Sequence, residues 1–188
     1  MGDVWLVTGG ARSGKSRFAE RLAASSGLAV TFVATMEPLD DELRERVARH
    51  RSERPPAWQT VEAPLDLVRA VDAADLEACV LVDCLSLWVT NRMLEGARAL
   101  DLATVARVEE ELEAEVARLL AGAGDRSGPL ILVTNEVGGG VVPESYLGRA
   151  FRDVLGRVNQ HASLGASRAW LLVAGRAIEL PRADLETP

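Results

Sequence analysis

Short apolar runs alternate with amphipathic stretches along most of this chain. Val4-Trp5-Leu6-Val7-Thr8, Leu28 to Ala34, Cys79-Val80-Leu81-Val82-Asp83, Pro129 to Asn135 and Ala169 to Ala174 are β-prone and almost wholly apolar. Runs of that kind predict buried strands. Between them the spacing changes to that of helices. Phe18 and Leu22 share a face after the first run, and Leu65, Leu67, Val68 and Val71 follow Pro64. Leu85 to Leu94 predicts a further helix. Val105, Val108, Leu112, Val116, Leu119 and Leu120 line one face between Ala103 and Ala121, and Tyr146, Phe151, Val154, Leu155 and Val158 line another between about Glu144 and Ala162. A helix is also expected from about Asp41 to about Arg51, with Leu43, Val47 and His50 on one face. Trp58 to Glu62 predicts a short strand, Gly122 to Gly128 a turn-rich loop, and Ile178 to Pro181 a short edge strand. The order is βα repeated about five times, which predicts a mostly parallel sheet with helices on both faces. At 188 residues the chain is expected to form one domain, 1–188, with a polar tail frayed from about residue 182.

Composition narrows the function. The net charge is −7 and no block of Lys or Arg offsets it, so a broad nucleic-acid or membrane surface is not expected. No segment approaches membrane-spanning length, and a cytoplasmic location is the expectation. Cys79 and Cys84 flank one predicted strand without metal-ligand spacing and are expected to be buried thiols.

The clearest chemistry lies directly after the first strand. Gly9-Gly10-Ala11-Arg12-Ser13-Gly14-Lys15-Ser16 fits the phosphate-loop pattern G-x-x-x-x-G-K-[ST] at every fixed position. It stands between a strand and a helix, as that pattern requires. Its glycines allow a tight turn that aims backbone N–H groups at phosphate oxygens, and the helix N-terminus adds partial positive charge. Lys15 would reach the β- and γ-phosphates, and the Ser16 hydroxyl would ligate Mg²⁺.

Other residues admit two readings each. Asp83 ends an apolar strand, where a carboxylate holds Mg²⁺ in many such proteins but can also cap the next helix. His50 either packs at the edge of an apolar stripe or acts as a nucleophile. Arg44, Arg46, Arg49, Arg51 and Arg54 lie close to it in sequence, and such cations favour a neutral imidazole. Glu109-Glu110-Glu111 is read as a solvated helix face rather than a metal site, and His161 as structural, without an evident partner. The polar and glycine-rich run Asn135 to Pro143, directly after an apolar strand, suits an active-site loop.

Several phrases together resemble one family. They are Leu6 to Arg17, Ala34-Thr35 with Asp40-Asp41-Glu42, Arg46-x-x-x-His50 with Arg54-Pro55, and Val89-Thr90-Asn91. Further along come Leu132-Val133-Thr134-Asn135-Glu136-Val137-Gly138, Val142-Pro143-Glu144, Phe151-Arg152-Asp153 and Gly156-Arg157-Val158-Asn159-Gln160. In this order they resemble the bifunctional adenosylcobinamide kinase / adenosylcobinamide-phosphate guanylyltransferases of cobalamin assembly. The resemblance implies a RecA-like P-loop α/β fold and a homotrimer. It implies phosphorylation of adenosylcobinamide by ATP or GTP, then transfer of GMP from GTP to adenosylcobinamide phosphate through a GMP–histidine intermediate. Matched by motif, the nucleophile falls on His50. Nucleotide contacts fall on Gly9 to Ser16, on Ala34, Thr35 and Met36, on Arg51, Ser52, Glu53 and Arg54, on Glu62 and on Asp83. Two departures are visible. The family carries Glu in some members where this chain has Asp83, and a polar residue often stands near Met36. A simple P-loop small-molecule kinase would also use Lys15, Ser16 and Asp83 but would leave His50 without a task. A nucleotide-dependent switch would need a base-reading motif that this sequence lacks.

Overall fold

A computed structural model describes residues 2–37, 45, 54–95 and 101–182. The expected helix from Asp41 to Arg51 and the tail beyond residue 182 lie outside the described residues. The strands are β1 (Val4–Gly9), β2 (Val30–Ala34), β3 (Gln59–Glu62), β4 (Cys79–Asp83), β5 (Leu130–Val133), β6 (Arg168–Val173) and β7 (Arg176–Leu180). The helices are α1 (Lys15–Ser25), α2 (Leu67–Asp72), α3 (Leu85–Leu94), α4 (Leu102–Ala123) and α5 (Tyr146–Gly165). The strands form one seven-stranded sheet in the order β3-β2-β4-β5-β1-β6-β7. All neighbours pair in parallel except β6 and β7, which are antiparallel.

Alternation along the strands sorts the core into two layers. Val4, Leu6, Val80, Val82, Leu130 and Leu132 face one side and pack with α2, α3, α4 and α5. Val7, Phe32, Leu81, Ile131, Val133 and Leu172 face the other, against Ala19 and Ala23 of α1. Central strands buried on both faces explain why their sequences read as unbroken apolar runs.

The strand order places the site. β5 is inserted between β1, which leads into the glycine loop, and β4, which ends in Asp83. Register then aligns Val7 with Val133, and Val133 with Asp83. These three positions share the α1 face, so the Asp83 carboxylate stands on the loop's side of the sheet, one strand removed.

Three boundaries differ from the sequence pattern for local reasons. α2 begins at Leu67 rather than Pro64, because the Pro64 and Leu65 carbonyls are taken by side chains of α3: Asn91 Nδ2 donates to Pro64 O at 3.0 Å and Trp88 Nε1 to Leu65 O at 2.9 Å. α5 begins at Tyr146 because Ser145 is its N-cap, its hydroxyl accepting from Gly148 N at 3.1 Å. β2 begins at Val30, after a turn in which Gly27 has φ 70° and the Ser26 hydroxyl accepts from Leu28 N at 3.2 Å.

Candidate active site at the carboxyl ends of the sheet

The glycine loop is shaped by backbone conformations that side chains resist. Gly14 precedes α1 with φ 95°, and Arg12 adopts φ 57°. Ser13 N donates to Gly10 O at 3.2 Å and Phe18 N to Gly14 O at 3.0 Å. No side chain caps α1, so its first amides face the loop's concavity. The Lys15 ammonium donates to Gly10 O at 3.3 Å, which places it at the mouth of the same turn. Ser16 is half-buried in the first turn of α1. Loop and helix start therefore offer amide donors, an ammonium and a hydroxyl within one short segment.

A neighbour that the motif alone did not reveal supports this loop. The turn between β6 and β7, Ala174-Gly175, has φ 50° and 78°, the handedness of a tight hairpin. Gly175 N donates to Ser13 O at 2.8 Å, and a Cβ on Gly14 would sit 3.4 Å from Gly175 Cα. The signal available in sequence was a glycine between two β-prone runs, read there only as a break before an edge strand.

Beyond Asp83, Thr35 has a different task from a direct ligand contact. It is fully buried. Its hydroxyl accepts from Cys84 N and donates to Cys84 O, both at 2.8 Å, and Thr35 N donates to Asp83 O at 3.3 Å. Thr35 thus fixes the main chain that presents Asp83. Asn91 Nδ2 donates to Thr35 O at 2.8 Å and so holds the end of β2 from behind. Asp83 itself is half-buried. Burial first, then the Asp83 carboxylate, push the Cys84 thiol pKa up, while the Lys15 ammonium acts in the opposite sense. Lys15 and Asp83 therefore bear on one neighbourhood. Ala34 and Met36 are half-buried at the same strand end, and Glu62 is exposed at the end of β3, paired in register with Ala34.

The end of β5 is held by α5. Thr134 Oγ1 donates to Asn159 Oδ1 at 2.6 Å, and Asn159 Nδ2 donates to Asn135 O at 3.0 Å. Arg152 donates to Gly138 O at 2.8 Å, and Gly138 N donates to Glu136 Oε1 at 2.6 Å. The phrases Phe151-Arg152 and Val158-Asn159 thus act on the loop that carries Asn135 to Gly138.

Of the remaining candidates, the Arg54 guanidinium stacks over the Phe32 ring, 3.4 Å from its centroid. His50, Arg51, Ser52 and Glu53 lie outside the described residues. His161 does have a partner, contrary to expectation: its Nε2 lies 3.6 Å from Glu113 Oε2 on α4. The acidic run on α4 is also more than a solvated face. Glu109 pairs with Arg157 at 2.5 Å, and Glu111 pairs with Arg92 at 3.2 Å and Arg107 at 2.6 Å. These pairs join α4 to α3 and α5. Among the described residues, no three His, Cys, Asp or Glu side chains group as a metal site. Cys79 and Cys84 are both buried and free, as expected. No helix among the described residues is long and apolar enough to cross a membrane.

A parallel sheet whose first strand runs into a glycine loop, with a carboxylate and polar loops at the same edge, defines an α/β protein built to receive a phosphorylated ligand. Residues 5–180 match the family model for cobinamide kinase / cobinamide phosphate guanyltransferase, and the chain belongs to that family. It is 42% identical over 178 residues to the bifunctional adenosylcobalamin biosynthesis protein CobU of Escherichia coli (strain K12), covering 93% of this chain and 98% of that protein. It is 43% identical over 176 residues to the bifunctional adenosylcobalamin biosynthesis protein CobP of Pseudomonas aeruginosa, covering 93% and 95%. The CobU protein of Salmonella typhimurium is 40% identical over 179 residues, with coverage of 93% and 98%.

Proposed function

We propose that this chain is a bifunctional enzyme of cobalamin biosynthesis. It phosphorylates adenosylcobinamide with ATP or GTP, then transfers GMP from GTP to adenosylcobinamide phosphate, releasing pyrophosphate. The observation that carries this reading is full-length family membership combined with a phosphate loop in the geometry the chemistry needs.

The residues supply distinct parts. Amides of Gly10 to Ser16 and the Lys15 ammonium hold the phosphates and take up charge on the departing group. His50 is the nucleophile of the second reaction. Its neutral imidazole attacks the α-phosphorus of GTP, and the P–O bond to the β-phosphate breaks as pyrophosphate leaves. The phosphate of adenosylcobinamide phosphate then attacks the same phosphorus and restores the free imidazole. Arg51 and Arg54, with Ser52 and Glu53, lie on the segment beside the nucleophile, where the arginines would hold phosphate. Met36, Ala34, Thr35 and Glu62 form the edge of the nucleotide site.

The donor set also suits Mg²⁺. A hydroxyl and a carboxylate are hard oxygen ligands, and Ser16 and Asp83 stand on the same side of the sheet. Magnesium would bridge phosphate oxygens and neutralise their charge. The shorter Asp83 side chain favours contact through water.

The chain acts as one domain over 1–188 and assembles as a homotrimer in the cytoplasm, with no membrane insertion and no nucleic-acid partner. The test is product analysis. Incubation with adenosylcobinamide, GTP and Mg²⁺ should yield adenosylcobinamide phosphate, then adenosylcobinamide-GDP with one pyrophosphate per molecule. Accumulation of adenosylcobinamide phosphate alone would leave a simple P-loop kinase as the better account.

A further inference from the structure

We propose that Asn135 reads the γ-phosphate of the bound nucleoside triphosphate. This rests on the nucleotide reading of the glycine loop. The ladder between β1 and β5 continues past the last residue of β5: Thr134 N donates to Val7 O at 2.9 Å and Glu136 N to Gly9 O at 3.1 Å. Extending the Val7–Val133 register by two residues sets Asn135 beside Gly9, the first residue of the loop. Alternation then fixes its face. The Thr134 side chain reaches Asn159 on α5, so the Asn135 side chain points to the opposite face, that of α1 and Asp83.

Because β5 lies between β1 and β4, that position stands between the Lys15 loop and Asp83. This is where the terminal phosphate of a nucleotide held by the loop would project.

Two orphan atoms mark the place. Asn135 Oδ1 is sealed from solvent and has no hydrogen-bond partner. Ser13 Oγ, on a residue only 7% exposed, is likewise buried and unpartnered. It lies 2.7 Å from where a Cβ on Gly9 would be. Buried amides and hydroxyls without partners are rare in folded proteins. The side-chain amide carries both a donor and an acceptor end, and a half-turn exchanges them. It can therefore donate to a phosphate oxygen on one side and accept from Ser13 or a water on the other. Its backbone is already anchored, since Asn159 Nδ2 holds the Asn135 carbonyl at 3.0 Å. Such a group discriminates triphosphate from diphosphate, which matters where the γ-phosphate is transferred in one reaction and leaves within pyrophosphate in the other.

The experiment compares calorimetric affinities for α,β-methylene GTP and α,β-methylene GDP with Mg²⁺. The bridging carbon blocks GMP transfer. The unaltered protein should prefer the triphosphate. Asn135→Ala should lose roughly tenfold of that preference while holding the diphosphate as before, since a hydrogen bond to a charged group is at stake. Asn135→Asp should reject the triphosphate more strongly, by charge repulsion, and keep the diphosphate. An unchanged preference in both variants would overturn the proposal, as would equal weakening of both ligands, the signature of a merely structural residue. If the unaltered protein bound neither ligand, the nucleotide reading itself would fail, a result distinct from either.

Discussion

At Gly9 a single methyl group decides whether the phosphate loop can form. A Cβ there would lie 2.6 Å from Leu172 O and 2.7 Å from Ser13 Oγ, and a backbone carbonyl cannot move aside cheaply. Gly9→Ala should therefore cost about 1–3 kcal/mol, typical of overpacking, and displace the loop from β6. Thermal unfolding and nucleotide titration would both register it. Cys79 shows a second residue-scale effect. Burial pushes its thiol from 9.0 up to about 11, against a smaller opposing hydrogen bond from Ser26. The folded state thus keeps its proton when the unfolded chain has lost it. This contribution is fully present below about pH 9 and is lost as pH rises toward about 11. Denaturant midpoints should fall across that window, and Cys79→Ala should flatten the slope. The Thr35 hydroxyl belongs to the same scale. Sequence matching marked the residue as a nucleotide contact, but no sequence pattern shows a hydroxyl bonded to the N–H and C=O of Cys84, 49 positions away.

At the scale of elements, Arg126 ties three of them together. It is 4% exposed, and its guanidinium donates to the carbonyls of Val71, Ala74, Asp75 and Ala78, covering the end of α2 and the entry to β4. Burial lowers its pKa, yet the four carbonyls justify the charge. Arg126→Met should destabilise the protein by about 3 kcal/mol or more, since it strands several buried acceptors at once. Chemical denaturation would measure the loss. Nothing in the local sequence singled this arginine out; it sits in a stretch read only as a loop. The long helices were far more legible. Val108, Leu112, Val116 and Leu119 repeat at helical spacing, and the structure buries all four on α4. Their ends were less so, because Asp101 caps α4 by accepting from Thr104 N at 2.8 Å, two residues before the apolar pattern suggested a start.

At the scale of the whole molecule, the unbroken apolar runs conveyed the parallel sheet, because central strands have no solvent-facing side to mark. Strand order was not legible in that way. The insertion of β5 between β1 and β4 follows from crossovers that no single strand encodes, and it is this order that brings Asn135 between the loop and Asp83. The antiparallel β7 also joins the sheet with every residue exposed, so its sequence carried little pattern. If the chain assembles as a homotrimer, sedimentation equilibrium should return three times the chain mass of 20.2 kDa. A single-chain mass would contradict that assembly.

The central claim is nucleotidyl transfer through a histidine. Its most direct test is incubation of the protein with α-³²P-labelled GTP and Mg²⁺, followed by denaturing electrophoresis beside His50→Ala. The account predicts an acid-labile, base-stable label on the unaltered protein and none on the variant. An unlabelled protein that still binds nucleotide, or a label that survives in His50→Ala, would contradict it.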